Sequence, residues 1–196
     1  MSCELIWISL TAIASWALVF VTWFVVTKQI KKAKEDMQEQ INVSREGLRE
    51  QLQMGRNDLK VRLQISYEDK FDSQSLISER KKLAEQLFTN TPHSDIQETV
   101  MNFFESVGML LRKEYFDLDM AWSAFSFYAI RWWSATKDYI FEERRLEHDD
   151  DTIFKDFEEF VDAMYKYETE KRHLSRASLE PSKQDVERFL ESEKNL

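Results

Sequence analysis

The sequence predicts an all-α protein with a single transmembrane helix, a long straight helical stalk and a C-terminal bundle of about four helices. Three observations carry this. Only 3 Gly and 2 Pro occur in 196 residues, too few for the turns of an all-β fold or the loops of a Gly-rich nucleotide fold. A run of 23 residues, Leu5 to Thr27, holds no charge. An apolar stripe behind it repeats every eleven residues. The resulting organisation is a membrane anchor over 1–27, a stalk over 28–65, an acidic bundle over 66–172, and a tail with a short amphipathic helix over 173–196.

The uncharged run reaches roughly 34 Å as a helix, the thickness of a hydrocarbon core. Trp7 and Trp23 stand near its ends, where interfacial indoles sit. No Lys or Arg precedes it, and it is too long for the apolar part of a signal peptide, so an uncleaved anchor is expected. Only Glu4 lies before the run, whereas Lys28, Lys31, Lys32 and Lys34 follow it. The positive-inside bias then predicts a single-pass protein of the cell inner membrane, N-terminus outside and C-terminal domain cytoplasmic. Those four lysines are placed to meet lipid headgroups, which makes the bilayer an expected partner.

In the stalk the stripe runs Ile30, Met37, Ile41, Leu48, Leu52, Leu59 and Leu63, with steps alternating between seven and four. Eleven residues over three turns is about 3.67 per turn, the period of a nearly straight helix rather than a heptad coil. Nine basic and six acidic side chains from Lys28 through Arg62 surround the stripe, as on a solvated helix. A narrow apolar stripe on a helix too long to fold back on itself needs a partner, and self-association in a parallel bundle is expected at these seven positions.

From residue 66 onward, 29 acidic residues face 18 basic ones, a charge of −11. This disfavours nucleic acid and favours a basic or apolar protein partner, here an unknown cytoplasmic one. Asp72 or Ser73 is expected to cap a first helix carrying Leu76, Leu83 and Leu87 and stopping at Asn90-Thr91-Pro92. Ser94 with Gln97 reads as the capping box of a second, with Ile96, Val100, Phe103, Val107, Leu110 and Leu111 inward. Asp117 or Asp119 opens the third, through Trp122, Phe125, Ala129, Trp132, Trp133 and Ile140 to the dipole-complementing Arg144 and Arg145. Asp151 and Thr152 open the fourth, with Ile153, Phe157, Phe160, Val161, Met164 and Tyr167. The third helix carries a second apolar face (Met120, Ala124, Tyr128, Ala135, Tyr139) and belongs in the middle. Arg131 on that helix is expected to be partly buried and to need an acidic or carbonyl partner such as Glu105. The segment after Pro181, with Val186, Phe189 and Leu190, reads as peripheral.

The runs Tyr67-Glu-Asp-Lys-Phe-Asp72, Asn102-Phe-Phe-Glu-Ser-Val-Gly108 and Asp119-Met-Ala-Trp-Ser-Ala-Phe-Ser-Phe-Tyr128, with Arg131-Trp132-Trp133, give the chain a likeness. It resembles an uncharacterised bacterial family that pairs an N-terminal membrane anchor and helical stalk with a domain of unknown function. The resemblance implies bacterial origin and this architecture over about residues 1 to 165, and it implies no activity.

No reaction chemistry is legible. His93, His148 and His173 lack ligand spacing, and His148-Asp149-Asp150-Asp151 reads as a solvated linker before an acidic cap. Glu142-Glu143 and Glu158-Glu159 are adjacent and do not share a helix face. One Cys, Cys3, excludes a disulfide framework and a Cys-rich zinc module. No Walker loop, dinucleotide fingerprint or Gly-x-Ser-x-Gly elbow occurs. No catalytic residue, cofactor or metal is therefore assigned. Tyr115, Phe116 and Phe127 fall off the main stripes and are candidates for a partner groove. The expected function is that of a membrane-tethered interaction or scaffold protein. An oligomeric membrane sensor or effector, as in bacterial defence, and an enzyme with an unrecognised site are the alternatives.

Overall fold

The computed structural model describes the backbone of residues 2–89 and 91–196, and their side chains except those of 2–15, 17 and 172. Seven α-helices and one 3-10 turn follow in order: α1 (Ser2–Phe71), α2 (Gln74–Phe88), the turn His93–Asp95, α3 (Thr99–Arg112), α4 (Leu118–Leu146), α5 (Lys155–Arg172), α6 (Arg176–Leu179) and α7 (Lys183–Lys194). No strand occurs among the described residues. The chain divides into two compact units, Met1–Arg56 and Asn57–Leu196.

The first unit is helical from Ser2 onward and exposed at every described side chain. Among the described residues no helix is long and apolar enough to cross a membrane. This corrects the expected transmembrane helix. Trp16 and Leu18 to Thr27 of the uncharged run are exposed. The other side chains of the run, through Ser15 and at Ala17, lie outside the described residues. The single-pass inner-membrane location and its orientation rested on that helix and are corrected with it.

In the second unit, α3 and α5 make the closest contact, and Gly108 is the reason. A Cβ built there would stand 2.0 Å from the backbone oxygen of Asp156. Only a residue without a side chain lets the two helices come this close. Around that contact lie Leu83, Met101, Phe104, Phe125, Trp132, Phe157 and Met164, each almost wholly buried. The core is aromatic: Phe71 meets Phe103, Phe104, Phe125 and Tyr128 at centroid distances from 4.7 to 5.9 Å, and Phe104 stacks on Phe157 at 5.1 Å. Ala121, Phe125, Ala129, Trp132, Trp133 and Ile140 form the buried face of α4, with Ala124, Tyr128, Ala135 and Tyr139 packed beside it.

Helix starts obey the local signals in part. Ser73 caps α2, its Oγ accepting from the Leu76 amide at 3.3 Å. The Ser94–Gln97 box does not form. Gln86 of α2 takes both sides of that turn instead, donating to the Asp95 carbonyl at 2.7 Å and accepting from the Gln97 amide at 3.0 Å, and α3 begins only at Thr99. Asp117 occupies the N-cap position of α4, but its carboxylate accepts from Lys60 Nζ at 2.6 Å rather than from the helix. Asp150, not Asp151, accepts from the Thr152 amide and hydroxyl at 2.9 and 2.6 Å, shaping the turn before α5. The segment after Pro181 is not peripheral: it forms α7, burying Phe189, Leu190 and Glu193.

Candidate functional site

The stripe expected to self-associate lies on α1. Ile30, Met37, Ile41, Leu48, Leu52 and Leu59 are 40 to 61% exposed. Leu63 differs, because it packs against the core of the second unit. Lys28, Lys31, Lys32 and Lys34 are exposed, and Lys31 stands 4.0 Å from Glu35 one turn on. Their expected headgroup contact depended on the anchor and loses that basis.

Tyr115, Phe116 and Phe127 do not make one groove. Phe116 is buried against Tyr67 at 5.4 Å, while Tyr115 beside it is exposed. Phe127 lies on α4 under the Arg131 guanidinium, 3.6 Å from the ring, and near Phe189 of α7. Arg131 donates to the Phe127 carbonyl at 3.0 Å, and burial works against its charge. Glu105, its expected partner, does something else. Its carboxylate accepts from the Asp156 and Phe157 amides at 3.3 and 2.6 Å, capping α5 from a neighbouring helix. Burial pushes this carboxyl above the usual range although both amides oppose the shift. Phe154, at the N-cap position, has φ of 51° and no capping side chain, which explains the need for an outside acceptor.

Among the described residues the buried arginine is Arg80. Its Nε and Nη2 donate to the two carboxylate oxygens of Glu193 at 2.6 and 2.7 Å, and its Nη1 faces the Phe71 carbonyl at 3.5 Å. The guanidinium lies 4.3 Å from the Phe71 ring and 5.1 Å from that of Tyr128. Both side chains are about 95% buried. The fork geometry satisfies both carboxylate oxygens, and burial makes breaking the pair costly because either charge would be left unpartnered. Arg80 was readable as a charge on the apolar face of α2, in line with Leu76, Leu83 and Leu87.

A cleft of 740 Å³ opens between α2, α4, α5 and the α6–α7 segment, lined by Trp133 and Tyr165 and by charges of both signs, Lys137, Arg176 and Lys183 with Asp138, Glu180 and Glu187. Arg176 is engaged with Asp162 at 2.6 Å and with the Tyr165 ring at 4.8 Å. Burial raises the Tyr165 hydroxyl above its ordinary range, so it stays protonated. His93 stacks on Tyr139 at 4.4 Å with Nε2 facing Glu143, and Tyr139 donates to Glu98 at 2.9 Å. Burial first and Glu98 second hold Tyr139 protonated as well. These contacts fasten the turn before α3 to α4. Among the described residues, no group of three or more His, Cys, Asp or Glu side chains is placed to hold a metal ion.

Comparison with curated proteins and with solved structures returns no match. A family model described as a domain of unknown function, DUF4760, matches residues 11–164. The match begins within α1 and ends within α5, so α6 and α7 lie beyond it. Over more than three quarters of its length, then, the chain belongs to the DUF4760 family, whose function is unknown.

Proposed function

We propose that this chain is a helical interaction protein of bacterial origin. Its first unit joins copies of itself through the α1 stripe, and its acidic second unit recruits another protein. One observation carries the reading: six aliphatic side chains stay exposed at an eleven-residue repeat from Ile30 to Leu59. The occupant that fits is a second copy running parallel. Only a helix with the same rise and repeat meets the stripe at every layer, and a parallel copy sets each residue against its own equivalent. Covering such a stripe removes several aliphatic side chains from water, each worth about 1.5–3 kcal/mol when fully buried. Its excess of carboxylates, 29 against 18 basic residues from 66 onward, gives the second unit a field that draws basic surfaces.

The test is Ile41→Asp combined with Leu52→Asp. Light scattering of the wild type should report an oligomer and of the variant a monomer, with the melting of the second unit unchanged. An assembly that survives both charges removes the stripe from consideration. Stoichiometric co-purification of a protein with the full chain tests recruitment separately.

A further inference from the structure

We infer that the surface of α2 and α4 around Arg80 is a binding groove for an amphipathic helix that presents a carboxylate, and that α7 fills it in cis. The inference stands apart from self-association through α1. Four observations carry it.

The groove is charge-complementary to its occupant. α2 contributes Arg80 to Glu193, and α4 contributes Arg131 in the field of Asp185. A locally basic seat thus exists within a net-acidic unit. Its floor is apolar: Phe189 meets Trp132 at 5.2 Å in a T-shaped contact and approaches Phe127 and Tyr128 at 6.2 and 6.4 Å. Phe189, Leu190 and Glu193 lie on one helix face, so the ligand class is a helix presenting two adjacent apolar anchors and a carboxylate one turn later.

α7 also behaves as a separate piece of sequence. It carries its own start signal, a capping box in which Ser182 and Asp185 satisfy each other's backbone amides. The Ser182 hydroxyl and amide hold the Asp185 carboxyl below its usual range. Residues 173–182 connect it to α5 and are exposed apart from the half-buried Leu179 and Pro181. Glu193 stands in the last turn, where the helix dipole disfavours an acid, so Arg80 rather than α7 itself accounts for its placement. Finally, the walls of the groove lie inside the family match and α7 lies outside it. Groove and occupant are separable, and with α7 lifted Arg80 offers two donors between aromatic rings to any carboxylate that reaches it.

A labelled peptide of residues 181–196, titrated by anisotropy into the full chain, tests this. Phe189→Ala with Leu190→Ala in the chain weakens the cis helix and leaves the seat intact. That variant should bind the peptide at least about tenfold more tightly than the wild-type chain, and a peptide with Glu193→Gln should bind it about tenfold less tightly than the native peptide. Equal binding by variant and wild type, or none by either, overturns the proposal. Hydrogen exchange on the wild-type chain decides independently of whether the variant folds. Amides of 183–194 should exchange well before those of α3 and α5, and exchange in one step with α3 and α5 makes α7 integral and ends the proposal.

Discussion

Replacing Gly108 by alanine probes the contact on which the second unit is built. The added Cβ would stand 2.0 Å from the Asp156 oxygen, 2.6 Å from its carbonyl carbon and 3.2 Å from Phe160 Cβ. A relaxed carbon–oxygen contact is about 3.3 Å, so α3 and α5 must separate by roughly 1.3 Å along that line. The obstacle is backbone rather than the end of a flexible side chain. Asp156 is also tied to α3 by Arg112, at 2.6 and 2.9 Å, and by the Glu105 cap, so it cannot slide aside without breaking those bonds. Overpacking of this kind costs about 3 kcal/mol. For a unit of this size, each kcal/mol is worth about 3 °C in Tm, so a fall of roughly 10 °C is expected. Thermal melting followed by far-ultraviolet circular dichroism measures it. The control is Gly55→Ala, whose Cβ meets nothing within 4 Å and whose helix propensity improves by about 1 kcal/mol. A Gly108→Ala chain that melts within about 2 °C of wild type would refute the reasoning, since the helices would then have room.

Arg80→Met leaves Glu193 buried and unpaired, a loss of about 3 kcal/mol or more unless α7 lifts away first, which caps the loss at the docking free energy of that helix. Arg80→Met with Glu193→Leu should recover most of it in urea titration, and a double variant as unstable as the single one contradicts this. Asp156 is held below its ordinary range chiefly by the Arg112 hydrogen bond. Its stabilisation is complete above the unfolded aspartate pKa and disappears as pH falls through the lower folded value, so Arg112→Ala should flatten the acid limb of Tm against pH. Glu105 titrates the other way. Its folded pKa is raised by burial, so stability declines as pH rises from the ordinary glutamate value through the raised one, and Glu105→Gln should abolish that decline. Trp122 donates to Glu168 at 2.9 Å. Glu168→Leu should cost about 1 kcal/mol and change tryptophan emission, whereas Glu168→Gln should leave both near wild type.

Features that depend on near neighbours in the chain were legible. Ser73 caps α2 because its Oγ reaches an amide three residues on, a distance that sequence spacing encodes. The apolar faces of α3, α4 and α5 follow from 3.6-residue periodicity in part: Val100, Phe103, Val107, Phe125, Trp132, Phe157 and Met164 are buried as expected, while Met101, Phe104 and Tyr165 are buried beside them and Leu110, Leu111, Trp122 and Tyr167 are only half-buried. The failures share one physical cause. The Ser94–Gln97 box lost to Gln86, which reaches the Gln97 amide across eleven positions. Asp151 and Thr152 did not cap α5 because Glu105, 51 and 52 positions away, satisfies its free amides. An N-terminal amide accepts any well-placed oxygen, and tertiary packing supplies acceptors that local spacing cannot rank. The transmembrane expectation failed differently. It rested on hydropathy over the whole run, whereas among the described residues no helix is long and apolar enough to cross a membrane.

The same distinction explains which arginine mattered. Arg131 drew attention because it stands on the helix with two apolar faces, yet it resolves locally, stacking on Phe127 and bonding the carbonyl four residues back. Arg80 carried the better signal. It falls in register with Leu76 and Leu83, and a charge on a buried face must be met by a partner or not be buried. Its partner is 113 residues away, so sequence could announce the need without naming Glu193. The charge count over residues 66–196 hid the consequence. An excess of carboxylates says which macromolecules a unit repels as a whole, but recognition is decided at the few groups stripped of water. Around Arg80 those groups are two donors, two aromatic rings and the floor beneath Phe189, and they select a carboxylate on an amphipathic helix. A net-acidic unit can therefore seat a buried carboxylate, as it does that of Glu193, because a desolvated guanidinium stands at that one point whatever the charge of the surface as a whole.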